Sequence, residues 1–400
     1  MSFLNKNILF LNDSSIQNPI LHSQGLPLLD YYTRLGIKSC FISFENSSNT
    51  QVEQIKIENI KKRFSENIRY YEIRYQTDNF FPNWLLYFFY GIRKVIDVIK
   101  KENISIIQTR SLYPAVIGLI IKVFFSSQLK LIYDNRGVFI VEEIYKKHWK
   151  ENSLKVKLFK YLEKLVIKNS DAIVVVSHSF KDYLIASNKD INISEKIFVI
   201  SNGTVVNKFS EENNLLYNNT NKKITAVYSG SFADWQKSNT LIKVLKELIE
   251  MNIGIKILTY AKNEFFQFLK EKNLDLSKIS IEFVNSDRVH SELKKCSFGI
   301  LVRENNLINN VSSPLKFAEY LNAGLPVLIS KGIGDTERLV KEKKVGVVIN
   351  DSIEEAINKI IGLVREKDIR KRCREIANKF YNIHSSHKKY LEILIKFNEK

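Results

Sequence analysis

The chain has 400 residues, 44% hydrophobic and 12% aromatic, more than one hydrophobic core normally serves, so two domains are expected and extensive disorder is not. Its net charge of +18 is shared evenly, each half carrying +9, whereas a dedicated nucleic-acid face would cluster its basic residues. An anionic substrate, an anionic membrane surface and a simply solvated lysine-rich exterior all stay open.

Cys40, Cys296 and Cys373 are odd in number and far apart. They offer neither a disulfide framework nor zinc spacing, which favours a reducing cytoplasm. The opening MSFLNKNILFLNDSS lacks the basic region and long apolar core of a signal peptide. No apolar run reaches the ~18 uncharged residues of a spanning helix. The nearest, Phe80 to Ile92 and Ala115 to Phe125, are short and bounded or interrupted by charge, so a soluble or peripheral chain is expected.

In chain order, apolar runs at 7–13, 38–44, 68–75, 106–110, 130–135, 172–177 and 196–201 read as strands, with segments between them long enough for crossover helices. Near-continuous apolar strands are those covered by helices on both faces, so the first half reads as a doubly wound parallel sheet. A polar, Asn- and Lys-rich stretch from Asn207 to Lys223 is the linker candidate. The alternation then resumes at 224–230, 253–260, 279–285, 298–303, 326–330 and 345–350, and helical segments close the chain from about Ser352. The expected fold class is α/β, with two Rossmann-like domains at 1–205 and 224–380, a linker at 206–223, and a closing 381–400 helix packing back on the first domain. A cleft between the strand ends of two such domains is the expected ligand site.

The loops at those ends carry the candidate chemistry. After the first strand, Ser23, Gln24 and Gly25 lie in a long polar loop suited to an acceptor. Asp134 and Arg136 end another strand, with Gly137, Glu142 and Glu143 following; Asp134 either aligns an acceptor hydroxyl or pairs with Arg136 to shape a turn. In the second half, Gly230 closes a strand, Ser231 follows it, and a helix is expected from Lys237 or Ser238, whose N–H groups would meet a phosphate. The alternative there is an ordinary strand–helix turn. Arg303 ends a later strand where the apolar pattern stops. Ser312 or Ser313 before Pro314 reads as a hydroxyl N-cap to a helix bearing Lys316 and Glu319. Its N–H groups suit a diphosphate and Glu319 suits ribose hydroxyls, unless both charged residues merely face solvent. Gly332 and Gly334 read as a flexible loop. The six histidines show no metal-binding spacing, and Ser177 and Ser179 lack the glycines of a nucleophile elbow.

Taken together, HSQGLP at 22–27, YDNRG with its two glutamates at 133–143, VSHSFKDYL at 176–184, ISNGTVVNKF at 200–209, YSGSFADW at 228–235, SSPLKFAEYLNAGLPVLIS at 312–330 and GIGD at 332–335 resemble bacterial GT-B glycosyltransferases of glycosyltransferase family 4. The resemblance covers nearly the whole chain, and the SSPxKxxEYLxxGLPV run is its most specific part. Glu319 matches the second acid of the family's acid–seven residues–acid motif. The first acid would fall on Val311, so the chain looks like a Ser-Pro-x-Lys subgroup. The family's first-domain histidine has no counterpart; Asp134 and Arg136 occupy its region.

The resemblance implies transfer of a hexosyl or N-acetylhexosaminyl group from a nucleotide sugar, UDP-linked rather than GDP-linked, with retention and without metal or cofactor. The implied acceptor is a lipid-linked or growing surface glycan (capsule, O-antigen or exopolysaccharide). The implied donor residues are Gly230, Ser231, Lys237, Arg303, Ser312, Ser313, Lys316, Glu319, Gly332 and Gly334; the catalytic ones are Asp134, Arg136 and Lys316. A polyprenyl-linked acceptor would bring the chain to the cytoplasmic face of a membrane. The aromatic stretch ending in Arg93-Lys94 and the Lys-studded stretch with Trp149 and Phe159 fit such a surface, or else pack inward as core helices. Nucleic acid is not an expected partner. A non-catalytic nucleotide-sugar-binding protein and a sugar epimerase of the same fold are the alternatives.

Overall fold

Thirteen parallel strands, one for each apolar run, form two sheets in the computed structural model of the protein, which describes residues 6–46, 57–58, 60–61, 68–75, 83–206, 223–230 and 239–398. The linker candidate falls almost entirely outside the described residues, as do Ser231 and Lys237. The chain divides into two compact units, one of residues 1–176, 181–200 and 387–400 and one of residues 177–180 and 201–386.

In the first unit, β1 (Asn7–Asn12), β2 (Ser39–Asn46), β3 (Ile68–Tyr75), β4 (Ile104–Arg110), β5 (Lys130–Asn135), β6 (Ala172–Val175) and β7 (Ile197–Val199) lie in the order β3-β2-β1-β4-β5-β6-β7. The order reverses between β1 and β4, the topological switch point at which open α/β sheets bind ligands. One sheet face carries Ile8, Phe10, Ile106, Ile132 and Val174, packed against Tyr390, Ile393 and Leu394 of the closing helix Ile383–Lys396.

In the second unit, β8 (Thr225–Ser229), β9 (Gly254–Leu258), β10 (Ile279–Glu282), β11 (Phe298–Leu301), β12 (Val327–Ile329) and β13 (Gly346–Val348) take the order β10-β9-β8-β11-β12-β13. Here the switch point lies between β8 and β11.

The helix Leu315–Asn322 buries Phe317, Ala318, Tyr320 and Leu321. It stops at Gly324, whose φ of 81° lets the Leu325 N–H reach Tyr320 O (2.9 Å) and its own N–H reach Leu321 O (2.9 Å). This is a Schellman closure, and it turns the chain directly into β12. Tyr320 fixes the helix to the sheet. Its hydroxyl accepts from Ser229 N (2.7 Å) at the end of β8 and donates to Ile300 O (3.3 Å) in β11. Its ring lies over Gly299, where a Cβ would come within 2.5 Å of it. Gly299→Ala is therefore expected to destabilise the protein by about 3 kcal/mol, the upper end of overpacking costs, read as a lowered denaturant midpoint.

Candidate active site

At the second unit's switch point, Gly230 follows β8 and donates its N–H to Leu258 O (3.1 Å). Arg303 follows β11, and its backbone is closed by Ser330, whose hydroxyl accepts from Arg303 N (2.9 Å) and donates to Arg303 O (2.8 Å). The guanidinium donates to Asn309 Oδ1 (3.3 Å) and lies near Tyr228 and Tyr320; burial pushes its pKa down.

The expected serine cap is corrected. Pro314 is the N-cap of Leu315–Asn322, with no side-chain cap bond. Ser312 donates its hydroxyl to Asn309 O (2.8 Å), and Ser313 accepts from Asn202 N (3.3 Å), so both hydroxyls serve neighbouring loops.

Lys316 and Glu319 pair with each other at 2.7 Å, with side chains 30% and 21% exposed. Glu319 also lines a cavity of about 210 Å³ with Thr204, Val289, His290 and Asn322. The sequence reading missed this cavity wall, because the residues opposite Glu319 come from Ser286–Lys294, a helix with no motif.

Gly332 and Gly334 form a packed turn, not a flexible loop. Both have positive φ (74° and 45°), and a Cβ on Gly334 would meet Ser312 O at 1.9 Å. Their N–H groups are taken by Glu337 Oε2 (3.2 Å) and Asn309 O (3.1 Å). The aspartate after them, Asp335, accepts from His178 N (2.7 Å) and Ser179 N (3.1 Å). That satisfies two donors at a helix start.

In the first unit, Asp134 and Arg136 form the pair that was the alternative to Asp134 aligning an acceptor hydroxyl. Asp134 is 1% exposed. One carboxylate oxygen accepts from Arg136 Nη1 (3.3 Å) and the other from the Tyr390 hydroxyl (2.9 Å), while Arg136 also donates to Ile200 O (3.3 Å) and Tyr390 (3.2 Å).

The loop after β1 is less open than expected. Leu21–Gly25 is a π-helical turn running into the helix Leu26–Arg34. Gly25 is buried against Leu21, and Ser23 donates to Ile20 O (3.2 Å). Trp149 and Phe159, on a stretch expected either to meet a membrane or to pack inward, are 8% and 0% exposed and pack on each other, so these two side chains pack inward.

Two outcomes follow. Tyr390→Phe is expected to cost about 1–3 kcal/mol, because Asp134 keeps its burial and loses a donor; thermal unfolding reads the loss. Burial, then Lys294 and Arg374, depress the His290 pKa to about 4. The folded state resists the proton that the unfolded chain accepts below about 6.5, so stability falls as pH drops from about 6.5 towards 4. Thermal scans across that range are expected to slope accordingly, and His290→Gln to flatten the slope.

Residues 28–208 match the profile described as Glycosyltransferase Family 4, and residues 227–388 match that of the Glucosyltransferase 3-like C-terminal domain. No curated protein sequence matches the chain. Among solved structures, it is similar to a glycosyltransferase of Rickettsia africae ESF-5 (18% identity, TM-score 0.69, covering 99% of this chain and 100% of that one). It is also similar to the sucrose-phosphate synthase of Thermosynechococcus elongatus (13%, 0.72, 98% and 100%) and to HepE of Anabaena in complex with UDP (15%, 0.66, 97% and 99%). With one glycosyltransferase profile on each parallel-sheet unit, the chain is a GT-B-fold glycosyltransferase of the glycosyltransferase family 4 type.

Proposed function

We propose that the protein transfers a hexosyl or N-acetylhexosaminyl group from a UDP-sugar, in preference to a GDP-sugar, to a hydroxyl of a lipid-linked or growing surface glycan, with retention and without a metal. The observation that carries this reading is the Lys316–Glu319 pair beside the β8/β11 switch point, with Glu319 on the cavity wall. A similar structure, HepE, holds UDP and UDP-glucose, which supports the choice of base.

In this reading the ribose hydroxyls donate to Glu319 and displace Lys316 from it. Lys316 then turns to the diphosphate. As the sugar leaves, charge grows on that diphosphate, and fixed donors that need no rearrangement stabilise it most. Lys316 and Arg303 supply the positive charge and Gly230 lets the ligand approach the backbone; Lys237, an expected donor residue, lies outside the described residues. Ser312, Ser313, Gly332 and Gly334 hold the loop that carries the helix start.

Peripheral contact with an anionic membrane belongs to the same reading. Leu154, Tyr161 and Phe89 are 82%, 61% and 65% exposed among the lysines of their helices, a composition suited to an acidic lipid surface.

The burial of Asp134 and Arg136 favours one second reading, a nucleotide-sugar-binding protein without turnover. A panel of UDP- and GDP-sugars with calorimetry and a nucleotide-release assay separates the two. Glu319→Ala is expected to weaken UDP binding at least tenfold, about 1.4 kcal/mol, and to suppress release. Tight binding of a donor with no release on any acceptor selects the second reading, and undiminished UDP binding by the variant removes the donor site from Glu319.

A further inference from the structure

A cavity of about 750 Å³ opens in the first unit, lined by Lys130, Lys196 and Lys396 with Asp171, Phe198 and Phe397. That volume suits a small molecule, whose pockets run about 300–1,000 Å³. Lys130 opens β5, and Asp171 and Lys196 directly precede β6 and β7, so the cavity lies at the sheet end opposite the switch point. Along β5 the two edges are separated by roughly 17 Å, at about 3.3 Å per residue.

Two more lysines adjoin this wall. Lys6 donates to Phe397 O (2.6 Å), and Lys122 pairs with Asp171. Five lysines therefore meet two carboxylates, Asp171 and the exposed Glu195. Asp171 is already committed, accepting from Lys122, Lys130 (3.4 Å) and Leu131 N (2.8 Å).

The other lysine heads are held by groups that leave their charge in place. Lys196 donates to Lys168 O (2.7 Å) and Ser170 O (3.1 Å), at the end of the helix Leu154–Asn169. Lys396 lies over the Phe198 ring, 4.9 Å from its centroid, and Lys130 over Phe397, at 5.9 Å. Lys396 makes no ion pair within 4 Å among the described residues. An ammonium carries three donors, so Lys196 keeps one for a ligand and Lys396 keeps all three. The lysines also repel one another. Burial and then Lys130 push the Lys6 pKa down; burial pushes Lys196 down, with Asp171 opposing and Lys122 adding to it. A bound anion relieves that repulsion.

We propose that this cavity is an anion site separate from the donor pocket, taking a phosphate-bearing ligand whose oxygens are met by Lys130, Lys196 and Lys396. Such a ligand joins the last turn of the closing helix to the starts of β5 and β7. The site goes beyond the glycosyl-transfer reading and does not depend on it. A free phosphate ester and a phospholipid headgroup offer the same chemistry.

The test is calorimetry on the full chain with saturating UDP and inorganic pyrophosphate as the probe, at about physiological ionic strength. Pyrophosphate is expected to bind with UDP present and to raise the unfolding temperature as its concentration rises. Lys396→Gln and Lys196→Gln are each expected to weaken it at least fivefold without changing UDP binding. Lys359→Gln, an exposed position in the second unit, is expected to leave it unchanged. Lys396 is exposed and bonds to no backbone group among the described residues, so its variant decides the question should Lys196→Gln not fold. Sedimentation with phosphatidylglycerol and phosphatidylcholine vesicles then separates the two sources. Loss of phosphatidylglycerol binding in Lys396→Gln assigns the site to a lipid headgroup, and unchanged vesicle behaviour assigns it to a free phosphate. Displacement of pyrophosphate by UDP, binding indifferent to Lys396→Gln, equal weakening by Lys359→Gln, or no binding of pyrophosphate overturns the proposal.

Discussion

The Tyr320 hydroxyl is the contact on which the second unit's site depends. A parallel sheet leaves the last backbone groups of its central strands unpaired at the switch point, and buried polar groups of that kind must find partners. Tyr320 serves both strands at once, accepting from Ser229 and donating to Ile300. The cost of bringing an aromatic ring so close is a strand residue without a side chain, met by Gly299. With Tyr320 fixed, the helical repeat decides where Lys316 and Glu319 stand, so a buried tyrosine positions two groups that it does not touch.

The two switch points solve the same geometric problem with different chemistry. In the second unit the charged groups pair locally, Lys316 with Glu319, an exchange that a ligand with both hydroxyls and phosphates can replace. Such a partly exposed pair, three residues apart on one helix, contributes modestly to stability, so opening it costs little. In the first unit the most buried acid is committed to the fold. Asp134 joins β5 to Tyr390 on the closing helix and thereby holds residues 387–400 to their unit. A buried carboxylate with two donors is costly to disturb, so the pairing holds strand and closing helix together.

Packing also reversed the apparent meaning of several loops. Two glycines after a strand suggested freedom, yet Gly332 and Gly334 are required because Asn305 and the Ser312 backbone press against them. A serine before a proline suggested a hydroxyl cap, but the extended backbone at Pro314 already starts the helix, and Ser313 is drawn to Asn202. In each case the local signal marked where the chain changes direction, and the long-range partner determined how it does so.

The sequence by itself determined the architecture. All thirteen apolar runs became strands, because burial on both faces of a parallel sheet demands continuous apolar residues that no other element needs at that length. It also determined the helix carrying Lys316 and Glu319, through Pro314 at its start and Gly324 at its end. Only the tertiary structure decided which charged groups are free. Asp134, Arg136, Arg110 and Asp13 all sit at strand ends and look alike in one dimension. Their difference lies in partners 254 and 256 residues away: Tyr390 bonds to Arg136 and Asp134, and among the described residues no hydrogen bond joins it to Arg110 or Asp13. Pairing across such distances follows from packing, and no periodicity or spacing in the chain encodes it.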